Sequence, residues 1–148
     1  MAHGQKPAHR SGEQEFKKYM ERFPPSLRTA YQRIHDAIKA EGKRSIEWYH
    51  LGYGETRYRG KDAPGQRGKI FAWLRIYDGW LVVAIPEHDP DFAKVNSVLL
   101  KTVESDYRDS FWYGKGQFTI PLDVGSADFE SKLASTLEIL RHAMASAV

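Results

Sequence analysis

Apolar positions along this chain recur with two different periods. From Leu27 they return at helical spacing through Ala30, Tyr31, Ile34 and Ile38, until Gly42 ends the stripe. Phe16, Tyr19, Met20 and Phe23 mark a shorter helix over residues 13–22, which Pro24 and Pro25 stop, and Ser26 reads as the cap of the longer one. After Ser45 the period falls to two. Residues 46–51 and 55–59 read as aromatic-rich strands on either side of a Gly-Tyr-Gly turn. Residues 69–77 and 80–86 flank Asp78-Gly79, a pair that closes a two-residue hairpin because both types tolerate positive φ. Asp89 and Pro90 suit the cap and first position of a helix running to Thr102. A polar loop then leads to Phe111-Trp112-Tyr113 and a strand over 117–122. Ser126 opens a last helix striped by Phe129, Leu133, Leu137, Leu140 and Met144.

None of the early connections between strands is long enough to hold a crossover helix, so those strands must pair antiparallel. The fold class is therefore α+β: a single-domain antiparallel sheet of about five to six strands, packed with N-terminal and C-terminal helices. Residues 1–12 lack periodicity and are expected to form a flexible tail, leaving 13–148 as the domain.

The hairpin allows a residue-level deduction. A two-residue turn pairs Tyr77 with Trp80, Ile76 with Leu81 and Arg75 with Val82. Alternation then places Ala72, Leu74, Ile76, Leu81, Val83 and Ile85 on one aliphatic face, the natural seat for the helices. Phe71, Trp73, Arg75, Tyr77, Trp80, Val82 and Ala84 fall on the other. Large aromatics around one arginine make an unusual solvent face. Either a helix or the N-terminal segment covers it, or it is a platform for a planar or anionic ligand, with Arg75 supplying charge and stacking.

Charge sharpens that second reading. The formal net charge is only +3, yet Arg57, Arg59, Lys61, Arg67 and Lys69 crowd a stretch containing a single acid, Asp62. A glycine-rich basic loop of this kind either solubilises a sheet edge or supports binding of an anionic partner, nucleic acid included. Candidate ligand-binding residues are thus Trp73, Arg75, Tyr77 and Trp80, with Arg57, Arg59 and Arg67 as electrostatic support.

Composition removes several chemistries. There is no cysteine, which excludes disulfides, thiolate catalysis and cysteine-ligated metal. The longest apolar run, 80–86, is too short to cross a bilayer, and no secretory h-region is present, so a cytoplasmic location without membrane partners is expected. Six histidines are scattered without ligand spacing. Glu87, His88, Asp89 and Asp91 form one dense polar group at a strand-to-helix junction; they are an alternative metal set, although helix capping accounts for the same letters. No nucleophile elbow, phosphate-binding loop or paired glycosidase carboxylates occur, so nothing argues for an enzyme.

The segment Tyr113-Gly-Lys-Gly-Gln-Phe-Thr-Ile-Pro-Leu-Asp, with the final helix bearing Leu133, Leu137 and Leu140, resembles the ending of the YdhG-like family and related small α+β domains, some found beside restriction-type nucleases. The resemblance spans roughly residues 16–143. It implies an iron-chaperone role with iron as cargo on an acidic surface, and it transfers no functional residue. Three expectations result. The first is a non-catalytic domain without a cofactor, holding an anionic or aromatic small ligand or a partner protein on the aromatic face. The second is an iron-handling protein. The third is a nucleic-acid-associated accessory module, or a homodimer through the same face.

Overall fold

The computed structural model describes residues 5–61, 69–109 and 116–147. In chain order they form α1 (Gln5–Met20), α2 (Pro25–Gly42), β1 (Ile46–Leu51), β2 (Glu55–Gly60), β3 (Ile70–Tyr77) and β4 (Trp80–Pro86). After these come α3 (Phe92–Val95), α4 (Ser97–Thr102), β5 (Asp106–Asp109), β6 (Gly116–Leu122) and α5 (Phe129–Ala147). The expected α+β class holds. Helix α1 begins at Gln5, inside the stretch read from sequence as a tail. Arg67 and Phe111-Trp112-Tyr113 lie outside the described residues.

The strands make one antiparallel sheet in the order β1-β2-β3-β4-β6-β5. Asp78 and Gly79 take φ of 53° and 81°, the left-handed pair that a tight hairpin requires. The β3–β4 register follows as expected, with Tyr77 opposite Trp80 and Arg75 opposite Val82. All the helices pack on one side. Leu74, Ile76, Leu81, Val83 and Ile85 are almost fully buried there against α2 and α5, together with Ile34, Ile120, Leu122, Ile139 and Leu140. Each such side chain contributes about 1.5–3 kcal/mol by leaving water.

Three local readings change. Helix α2 starts at Pro25, and Ser26 makes no capping hydrogen bond; the ring's fixed φ sets the first turn instead. The single helix expected up to Thr102 is broken at Asn96. That buried amide donates from Nδ2 to Phe92 O at 3.0 Å and binds His142 Nδ1 through Oδ1 at 2.5 Å, so it serves α5 rather than a continuous helix. Phe71 leaves the aromatic face. A register shift between Tyr58 and Arg59 turns it into the core, with its ring 6.3 Å from that of Tyr58.

Candidate ligand-binding cleft

Because α1, α2 and α5 all sit on the aliphatic side, the described helices leave the opposite face of the sheet uncovered. Alternation brings Trp73, Arg75 and Tyr77 of β3, Trp80, Val82 and Ala84 of β4, and Gln117, Thr119 and Pro121 of β6 to that face. With Glu55 and Asp78 they line a cleft of about 600 Å³. Its two ends differ. Tyr77 and Trp80 are 64% and 42% exposed, whereas Trp73 is buried at 7%. The cleft is thus open toward the hairpin tip and closed toward Trp73.

Arg75 occupies the wall. Its guanidinium carbon lies 5.4 Å from the Tyr77 ring centre and 6.0 Å from that of Tyr53, within reach of both π faces. It makes no ion pair with the described residues, and its Nε is buried without a hydrogen-bond partner. A buried, unmatched donor on a cation costs on the order of 1–3 kcal/mol, so this side chain is held in place at some expense.

The other arginines behave differently. Arg57 and Arg59 belong to strand β2, as the strand reading over 55–59 requires, so they stand apart from the glycine-rich loop that follows. Arg57 Nε donates to Glu55 Oε2 at 2.6 Å, and Arg59 Nε donates to Glu47 Oε2 at 3.1 Å. Burial alone would lower the Arg57 guanidinium, but the hydrogen bond and charge of Glu55 more than offset it and hold the group above its ordinary value. Arg57 also donates from Nη2 to Tyr53 Oη at 3.1 Å, which positions the ring that Arg75 faces. Neither Arg57 nor Arg59 lines the cleft. Sequence reasoning missed Tyr53 and Glu55 as neighbours of Arg75, together with the β6 contribution. Period-two alternation through Gln117, Thr119 and Pro121 was the available signal for the latter.

Glu87, His88, Asp89 and Asp91 do not converge. Glu87 Oε1 accepts from Tyr107 Oη, His88 donates from Nε2 to Ile70 O, and Asp89 Oδ1 accepts from the Asp91 amide. Among the described residues no group of three or more histidines and carboxylates is placed to hold a metal ion.

A second polar cluster lies under α1 and α2, on the helix side of the sheet. Tyr31 Oη donates to Leu74 O at 2.9 Å and sits 2.6 Å from Thr56 Oγ1, which in turn is 2.7 Å from His50 Nδ1. A chain running from His50 Nδ1–H through Thr56 and Tyr31 to the carbonyl gives every acceptor a proton. His35 Nδ1 is 2.7 Å from Tyr58 Oη, and the Phe16 ring of α1 stacks on His50 at 3.9 Å. Burial pushes both His35 and His50 down to about 4. Each therefore stays neutral at pH 7 and serves as packing and hydrogen bonding.

Among the described residues no helix is long and apolar enough to cross a membrane. No protein-family model, curated protein or solved structure matches the chain.

Proposed function

We propose that this chain is a non-catalytic binding domain whose cleft between Tyr77, Trp80, Ala84 and Thr119 takes a small anionic, planar ligand. One observation carries the reading: Arg75 is a cation without a counterion among the described residues, held between two tyrosine faces at the wall of an apolar cleft of ligand-sized volume. Trp80 and Tyr77 supply flat, partly exposed surface on which a ring gains stacking energy of about 0.5–1.5 kcal/mol beyond area burial. A ligand anion placed on the Arg75 guanidinium supplies the counterion that the described residues do not.

The nucleic-acid reading loses support from the pairing of Arg57 with Glu55 and Arg59 with Glu47, since a phosphate backbone requires several uncompensated cations along one track. Anilinonaphthalene sulfonate, an anionic planar dye, tests the proposal. It is expected to bind the folded chain at one saturable site with enhanced emission. Ala84→Trp, which fills the cleft from β4, is expected to remove that site while far-ultraviolet dichroism stays unchanged. Undiminished dye binding in folded Ala84→Trp would refute the assignment to this cleft.

A further inference from the structure

The charges around the cleft set the charge of its occupant. Arg57 and Glu55 cancel, as do Arg59 and Glu47, and both pairs are at hydrogen-bonding distance. Glu55 stands directly opposite Arg75 in the β2–β3 register, yet its carboxylate is engaged with Arg57. Among the described residues the lining therefore holds one unpaired cation, Arg75, against Asp78 at the exposed hairpin turn. The remaining polar groups, Gln117 and Thr119, are neutral hydrogen-bonding side chains on β6, across Val82 and Ala84 from Arg75.

Resting on the binding reading above, we infer that the ligand class is a planar aromatic monocarboxylate. Its carboxylate sits on the Arg75 guanidinium, whose planar fork matches two oxygens. Its ring lies over Val82 and Ala84 toward Trp80, where the lining is apolar and short side chains leave depth. A phosphate ester carries a charge of about −1.5 to −2 at neutral pH, which one arginine does not neutralise in a site that also contains Asp78. A neutral aromatic amide fills the same space but leaves Arg75 without its counterion. The charge count thus separates three ligands of nearly one shape.

The test titrates the full chain with 2-naphthoate, 2-naphthamide and 2-naphthyl phosphate, followed by amide nitrogen–proton correlation spectra. 2-Naphthoate is expected to shift the amides of residues 73–84 and 117–119 saturably, at least tenfold more tightly than the other two. Arg75→Met keeps the aliphatic stem and removes the charge; it is expected to bring naphthoate affinity down to that of naphthamide. Arg75→Lys, which retains a point charge without the fork, is expected to fall between them, and the spectra report directly whether each variant is folded. If the phosphate binds as tightly as naphthoate, the carboxylate assignment is wrong and the anionic-ligand reading survives; if naphthamide binds as tightly, or folded Arg75→Met binds naphthoate unchanged, the anionic reading falls with it. If none of the three shifts the cleft amides, both fall together.

Discussion

Acid should destabilise this fold from about pH 6.5 downward, and the cause is the histidine pair beneath α1. His35 and His50 are both pushed down to about 4 by burial, against an ordinary value of 6.5. The other charged groups acting on them are mixed. Lys39 disfavours protonation of both, Lys17 adds to this at His50 and the two rings repel, while Asp36 favours a charged His35 and Glu13 a charged His50. The unfolded chain then binds more protons than the native one between pH 6.5 and 4, so stability falls as pH falls through that window and levels off below it. At about 1.4 kcal/mol per pKa unit the full shift is worth roughly 3 kcal/mol for each ring, and the solvent still reaching half-buried His50 reduces this. With about half of the full value taken at each ring to allow for solvent screening, a combined loss of about 3 kcal/mol is the expected outcome. Asp128 and Glu130, whose values are lowered by hydrogen bonds to Ser126 and Arg33, act only at lower pH. Urea denaturation at pH 7.5, 6.0 and 5.0 measures the slope. His50→Gln, which keeps an amide donor toward Thr56, is expected to flatten it by about half. Stability that is level or rising from pH 7.5 to 5.0 would show that these rings are not held neutral by burial.

Two further outcomes concern the scaffold around the cleft. Arg57→Ala strands the Glu55 carboxylate, which is 5% exposed, and is expected to cost about 3 kcal/mol. Arg59→Ala, whose partner Glu47 lies at the surface, is expected to cost under about 1 kcal/mol; equal losses in chemical denaturation would contradict the distinction. Gly54 has φ of +90° and lies so close to α1 that an added Cβ would stand 2.5 Å from the Tyr19 ring. Gly54→Ala should therefore lower the melting midpoint by several degrees, corresponding to a loss of about 1–3 kcal/mol, and proteolysis should find α1 first.

What the sequence revealed was the part governed by local rules. Asp78-Gly79 sets a turn whose geometry depends on two residues, so the register and both faces of the β3–β4 hairpin were legible from the letters alone. Distant partners were not. The break at Asn96 depends on His142, and the burial of Phe71 depends on a bulge opposite Tyr58, neither of which leaves a periodic trace. The basic stretch misled for a similar reason. Charge density along the chain suggested one cationic loop, but β1 and β2 pairing lays Glu47 beside Arg59, and alternation sets Glu55 and Arg57 on the same face. Pairing thus removes charge from the arginines that looked most conspicuous and leaves it on Arg75, which stood alone among aromatics.

Arg75 is the residue predicted to meet the ligand. The side-chain Nε–Hε resonances of the arginines, recorded as 2-naphthoate is added to the intact chain, report this directly. The Arg75 resonance is predicted to move saturably, with the same dissociation constant as the cleft amides, while those of Arg57 and Arg59 stay fixed on their glutamate partners. A still Arg75 resonance beside moving Arg57 or Arg59 resonances would contradict the account.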